Sequence, residues 1–297
     1  LYEKKDLKRD HGFMLSYIGM NVGGFLASSM SGTIVHLTSY SIAFLIGAIA
    51  SAATLPLFFA YAPIFKPRQR DKQIIDNSDV EHNKSARKIG WLLVFAGIAL
   101  TTVFLIFAKI SNALLLILGV ASIIFIAKIA FGEKKVVRNK LLVFLLLTVL
   151  SVIFWTLYSL TPSALTLFAE RNIDRHVFGW LIPTANLSGL NPFFIITVGP
   201  LLSMTWSQLK KRRIEVSTPV KFAMGIILMG LGFLVLSFGI TFHSAAGFTA
   251  LIWLVFSYFL QTTGELLLGP IGYAMVGDLA PANKIGLMMG IWQLACG

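Results

Sequence analysis

Eight apolar segments, each long enough to cross a bilayer, follow one another along this chain: 12–36, 38–63, 89–108, 111–131, 141–169, 187–206, 219–242 and 247–277. A ninth begins near residue 284. A spanning helix needs roughly 20 apolar residues, and a barrel strand about ten alternating ones. These segments are continuous, so the expected fold is an all-α integral membrane bundle. Composition closes off the soluble alternative. Only 13% of the residues are charged, against about 25% in soluble domains, while 56% are hydrophobic and the mean hydropathy is +0.79. The single cysteine, Cys296, excludes an intrachain disulfide and any multi-cysteine metal site.

The charges then orient the spans. With 1–11 on the cytoplasmic side, the inner loops hold Lys4, Lys5, Lys8 and Arg9, then Lys66, Arg68, Arg70, Lys72, Lys84, Arg87 and Lys88. They also hold Lys134, Lys135, Arg138 and Lys140, then Lys210, Lys211, Arg212, Arg213 and Lys221, and finally Lys284. Only Lys109, Arg171 and Arg175 fall outside, and Lys128 lies at the inner end of a span. This asymmetry follows the positive-inside rule. It accounts for the net charge of +12 without nucleic acid as a partner. The polar stretch 66–88 reads as a cytoplasmic linker, and the pair 89–108 and 111–131 as an inserted transmembrane hairpin, apolar all round and facing lipid.

Glu265 is the only carboxylate embedded deep in a long apolar segment, LIWLVFSYFLQTTGELLLGPIGYAMV (251–276). A charge near mid-bilayer is costly and usually has a partner or a function. Gln261, Glu265 and Gly269 recur every four residues, on one helical face. Gly269 and Pro270 then predict a kink one turn on. Two readings stay open. One is a packing kink beside a protonated, hydrogen-bonded acid. The other is a site for a proton or for a cationic group on a cargo, with the kink as part of a gate.

Other spans carry weaker signals. Tyr17 and Asn21 lie on one face among Gly19, Gly23, Gly24, Ser28 and Gly32, which fits a tight helix seam or a cavity wall. Trp155, Tyr158, Ser159, Thr161 and Pro162 interrupt an aliphatic run, with Pro162 marking a bend and Trp155 open to core packing or cargo contact. Asn191 needs hydrogen-bond partners from a neighbouring helix or from a cargo. The histidines are not paired at ligand spacing, so no metal or other cofactor is expected. No nucleophile elbow, phosphate loop or catalytic carboxylate pair appears, so the chain reads as a non-enzyme.

Four blocks of residues resemble the proton-dependent oligopeptide transporter family of the major facilitator superfamily. They are RDHGFMLSYIGMNVGG (9–24), FWTLYSLTPSALTLFAERNIDR (154–175), IPTANLSGLNPFFIITVGPLLSMTW (182–206) with KFAMG (221–225), and GELLLGPIGYAMVGDLAP (264–281) with GLMMGIW (286–292). The resemblance implies that the first span is the fifth helix of a twelve-helix fold. The first four helices, with the family's ExxERF motif, and the last helix would then lie outside this sequence, and these missing helices would be its partners. It divides the chain into the end of the amino-terminal bundle (1–65), the linker (66–88), the inserted hairpin (89–140) and the carboxy-terminal bundle (141–297).

By the same resemblance, Glu265 receives the amino terminus of a peptide and takes part in proton coupling. Asn21, Tyr17 and Asn191 match peptide contacts, Trp292 matches an aromatic pocket wall, and Trp155 lies beside the central cavity. Gly269, Pro270 and Pro162 are the gating bends. Ser16, Tyr158, Ser159, Leu160 and Gly269 depart from the family pattern. The function implied is proton-coupled import of di- and tripeptides across the inner membrane by alternating access, driven by the proton gradient. A carrier of nitrate or a drug-like compound, or a non-transporting remnant, are the alternatives. Small peptides, protons and the lipid bilayer are the expected partners.

Overall fold

The structure, a computed structural model, describes residues 7–61, 84–242, 247–281 and 284–296, without the side chains of 7–18, 84–88, 105 and 108. The described helices are α1 (Leu7–Leu37), α2 (Tyr40–Tyr61), α3 (Lys84–Ile106), α4 (Ala108–Gly132), α5 (Lys135–Tyr158), α6 (Thr166–Asn172), α7 (Leu190–Lys211), α8 (Thr218–Thr241), α9 (Leu251–Leu279) and α10 (Ile285–Cys296). Stretches long and apolar enough to cross a membrane are Tyr40–Tyr61, Lys109–Gly132, Lys135–Asn172, Thr184–Lys211, Thr218–Thr241 and Leu251–Leu279. Ile89–Phe104 and Ile285–Cys296 are apolar but shorter among the described residues. The expected span 12–36 falls on α1. The linker 66–88 lies largely outside the described residues.

Two compact units emerge. One comprises 1–4 and 46–122, the other 5–45 and 123–297. The first unit contains most of α2, all of α3 and most of α4. Ser111 is its one buried side chain among the described residues, and the remainder present an apolar exterior. Its hydroxyl donates to the carbonyls of Phe104, at 2.7 Å, and Phe107, at 3.0 Å, which closes the break between α3 and α4. Leu, Ile and Phe facing outward in this density are what lipid as solvent allows.

The second unit is organised around α9, which packs on α5, α7, α8 and α10. Its contact with α8 is the most extensive and has a sequence basis. Gly225, Gly232 and Gly239 recur every seven residues on α8. A Cβ at Gly225 would sit 2.9 Å from the Gly264 carbonyl, and one at Gly232 would sit 2.7 Å from Cγ of Gln261. At Gly239 the Trp253 ring occupies the same space. Small residues at a heptad spacing let two backbones approach along a shared seam. Phe222, Met229 and Leu236, on the same stripe, fill the space between them and are buried.

The expected bends fall differently. Pro270 does not interrupt α9, which runs unbroken from Leu251 to Leu279 with Pro270 exposed. Proline removes one backbone donor, and helix packing on several sides holds the remaining bonds. Pro192 lies in the first turn of α7, where a proline costs no bond. Pro162 does mark a break. There α5 gives way to a π turn, Thr161–Leu165, in which the Leu165 amide donates to the Leu160 carbonyl at 2.9 Å.

Past the end of α6, Ile173–Asp174 (β1) pairs in parallel with Thr249–Ala250 (β4). His176–Val177 (β2) and Trp180–Leu181 (β3) form a hairpin whose turn places Phe178 at φ 50° and Gly179 at φ 80°. Both positive values are those a two-residue I′ turn requires. The His176 backbone amide donates to Asp174 at 3.1 Å and the ring bonds the same oxygen at 2.9 Å. These bonds hold the Asp174 carboxyl below its ordinary 3.8. Near the start of α5, Lys284 pairs with Glu133 at 2.9 Å and Lys140 donates to the Asp278 carbonyl at 3.3 Å.

Two outcomes are expected. Gly232→Ala should lower the melting temperature in detergent by an amount equivalent to about 1–3 kcal/mol, since overpacking a tight core costs that much. Gly230→Ala, which meets nothing within 4 Å, should be neutral. The Asp174 bonds, with a depressed folded value, stabilise the turn at His176 above the unfolded carboxyl value. They are lost as pH falls through the folded one, so the His176 amide should exchange faster only below pH about 4.

Candidate functional site: a polar cluster around Glu265

Glu265 lies at mid-length of α9, one residue past the glycine that touches α8. A step of one residue turns a side chain about 100° around the helix. Gly264 therefore faces α8, while Glu265 points toward α7 and α5. There Asn191, in the first turn of α7, donates through Nδ2 to Glu265 Oε2 at 2.7 Å and to Thr262 Oγ1 at 3.2 Å. The Tyr158 hydroxyl, from the last turn of α5, is the second side-chain partner of the carboxylate. Three helices thus converge on one acid through two neutral donors. Among the described residues, the ion pairs are His176 with Asp174 and Lys284 with Glu133, and neither involves Glu265.

One turn earlier on α9, Gln261 is 2% exposed. Its Oε1 accepts from Thr161 Oγ1 at 2.8 Å, and its Nε2 donates to Ser257 Oγ at 2.8 Å. Thr161, Ser257, Gln261 and Thr262 are all buried polar side chains. A buried amide left unpaired would cost about 1–3 kcal/mol, so a satisfied network of this kind fixes rotamers and register.

The residues singled out in the sequence separate into groups. Glu265 and Asn191 are in direct contact. Trp155 lies one turn from Tyr158 and meets it edge-on, with ring centroids 5.3 Å apart, and meets Phe154 in the same manner. Asn21 is partly buried on α1, one turn before Phe25, whose ring lies 5.9 Å from that of Phe193 on α7. The Tyr17 side chain lies outside the described residues. Trp292 is fully enclosed in the core, packed on Phe222 and against Gly272, two turns beyond Glu265. Gly269 has open space beside its Cα. Gln261, Glu265 and Gly269 share a helical face, yet each meets a different environment.

Thr262 and Ser257 are participants that the sequence did not single out: they have ordinary hydroxyls that many spans carry, and only the fold places them, with Thr161, in one cluster. Ser257, Gln261 and Glu265 do recur every four residues, a signal that was available. The α1–α7 seam was half legible. Asn186, in the 3-10 turn Thr184–Gly189, donates through Nδ2 to Thr33 Oγ1 at 2.7 Å and accepts from the Thr33 amide at 3.2 Å. Gly32 and Gly189 make room for that approach, since a Cβ at Gly32 would collide with Asn186 and Pro183, and one at Gly189 with Ser29 of α1.

This is a multi-pass helical membrane protein of major facilitator type, with a polar cluster built on one mid-span acid. The chain belongs to the POT family, whose family profile matches residues 1–297. It is 32% identical over 301 residues to the dipeptide and tripeptide permease B of Salmonella typhimurium, covering 99% of this chain and 59% of the permease. It is 32% identical over 308 residues to the peptide transporter YePEPT of Yersinia enterocolitica, covering 99% and 60%. Among solved structures, it superposes on a peptide transporter POT in complex with sulfate with a TM-score of 0.77 at 25% identity, covering 99% of this chain and 61% of that one. A variant of peptide transporter POT in complex with alafosfalin gives 0.78 at 29% identity, covering 99% and 60%. The chain spans about three-fifths of the length of these relatives.

Two substitutions two turns of α9 or less from Glu265 should behave oppositely. Gly269→Ser should leave the melting temperature unchanged, because open space receives the side chain. Gly272→Ala should displace Trp292 and lower stability by about 1–3 kcal/mol, the usual cost of overpacking. A change in Trp292 fluorescence would report the displacement.

Proposed function

We propose that this chain supplies part of a proton-coupled symporter that imports di- and tripeptides by alternating access. The observation that carries the reading is the carboxylate of Glu265, oriented by Asn191 and Tyr158 and joined by no cation among the described residues. Two neutral donors fix the direction of the acid without neutralising it. A carboxylate so placed in a low-dielectric span is a receptor for a positive group, and the ammonium of a peptide amino terminus fits that role. When no ammonium is bound, a proton satisfies the same oxygens. Exchange of one for the other makes binding depend on protonation, and import of the proton together with the peptide is completed by a second protonatable group on the helices outside this sequence.

The relatives support the substrate class. The Salmonella relative is named a dipeptide and tripeptide permease and the Yersinia relative a peptide transporter. In this reading Asn21, Tyr17 and Trp155 border the cargo around Glu265, and Trp292 supports the wall from within the core. The proton gradient is the energy source, at about 2.3 kcal/mol per charge per 100 mV, and no cofactor or covalent chemistry is required. The protein acts in the inner membrane, with the helices outside this sequence completing the site.

The test is uptake of a labelled dipeptide by the full-length gene product, with and without a protonophore. Uptake should collapse when the gradient is dissipated. Glu265→Ala should weaken dipeptide binding more than hundredfold, because stripping one partner from a buried charge pair costs about 3–5 kcal/mol. Glu265→Gln keeps the shape and a bond to Asn191 but removes the charge, and should weaken binding comparably. Unchanged affinity in both variants would refute the assignment. Uptake of nitrate, insensitive to Glu265→Gln, would point to an anion carrier instead.

A further inference from the structure

We infer that Gln261 is a positioning residue. It locks the π turn between α5 and α6, and through that turn it sets where Tyr158 meets Glu265. The role in binding rests on the transport reading above, but the structural lock does not.

The geometry is a short chain of contacts. Gln261 is clamped on two sides. Its Nε2 donates to Ser257 Oγ at 2.8 Å, one turn back on its own helix. Its stem lies against Gly232 of α8, where a Cβ would come within 2.7 Å of Cγ. The amide is therefore held by α9 and α8 together, and its one remaining hydrogen-bonding atom, Oε1, is aimed at α5–α6. There it accepts from Thr161 Oγ1 at 2.8 Å. Both residues are buried, Gln261 to 2% and Thr161 to 8% exposure, so water does not replace the bond.

Thr161 opens the π turn. A π turn inserts one residue into a helix and turns every later side chain by about 100°, at a cost in backbone bonding. It persists only where the surroundings hold it. Here the Leu165 amide spans back to Leu160 at 2.9 Å, and Thr166 Oγ1 donates to the Thr161 carbonyl at 3.3 Å. Both bonds are local to the turn. The bond from Thr161 to Gln261 joins 100 positions along the sequence and fixes the turn to the rest of the fold. Tyr158 lies three residues before Thr161, in the last turn of α5. Its hydroxyl is a partner of Glu265. A shift at Thr161 therefore moves the donor that orients the acid, although Gln261 itself is placed by Thr161 and Ser257 rather than by the carboxylate.

The experiment uses the full-length gene product in membranes with three variants. Gln261→Leu keeps volume and loses the acceptor, Thr161→Val keeps shape and loses the donor, and Thr161→Ser keeps the hydroxyl. The first readout is amide hydrogen exchange over 158–168. Gln261→Leu and Thr161→Val should each raise exchange there about tenfold, the factor that one buried hydrogen bond is worth. The double variant should add nothing further, because both remove the same bond. Thr161→Ser should match the wild type. The second readout is dipeptide KM, which should rise about tenfold in the two apolar variants with kcat within about twofold.

Unchanged exchange, or additive effects of the two apolar variants, would overturn the inference whatever solute is carried. Raised exchange with unchanged dipeptide KM would overturn the link to Glu265. Raised exchange in a wild-type background that takes up no dipeptide would instead refute the transport reading and leave the structural lock standing.

Discussion

The close approach of α8 to α9 sets almost everything else in the larger unit. Glycines at a seven-residue spacing remove the side chains that would hold two helices apart, and dispersion between backbones and the interleaved Phe222, Met229 and Leu236 takes their place. Lipid tails are as apolar as leucine, so burial of apolar surface gives little reason for helices to associate in a bilayer. Steric fit has to supply it. Once Gly264 is fixed against Gly225, the rotation of α9 about its axis is fixed too. Glu265 must then face α7 and α5, and Gln261 must wedge beside Gly232.

Polar groups follow from that rotation. In hydrocarbon every donor and acceptor has to find a partner inside the protein. Ser257, Gln261, Thr262 and Glu265 emerge from α9 within three turns and meet Thr161 and Tyr158 from one side and Asn191 from the other. The result is a two-part site. One part, around Gln261, is held by neutral hydrogen bonds to Thr161 and Ser257. Its second part, at Glu265, is an acid whose side-chain partners are the neutral donors Asn191 and Tyr158. The α1–α7 seam uses the same economy of means, with glycine and serine admitting a reciprocal pair between Asn186 and Thr33.

Proline shows how context overrides a local rule. Pro162 and Pro270 read alike in the sequence, as helix breaks beside polar residues. Pro192 starts a helix, Pro270 sits on an exposed face of an unbroken one, and only Pro162 accompanies a change of backbone register. The difference lies in what surrounds each missing donor. At Pro162 a glutamine from another helix captures the adjacent threonine and makes the irregular turn the better-bonded state. Nothing within Thr161–Leu165 itself announces that partner.

The sequence by itself determined the solvent and the helical, multi-pass class of the fold, because these depend on segment length and apolar content, both one-dimensional quantities. It also singled out Glu265, since a lone acid in an apolar run is costly wherever the run is placed. It did not determine which side chains would gather around that acid. Asn191 was legible as a residue in need of partners, but its partner was not. Thr262 and Ser257 were indistinguishable from the other hydroxyls of the spans, and Thr161 stood out only as one polar residue among several beside Pro162. Those choices belong to tertiary structure, because they depend on the rotation of each helix about its axis. That rotation is set by where glycines let backbones touch, across pairs of residues as distant in sequence as Thr161 and Gln261.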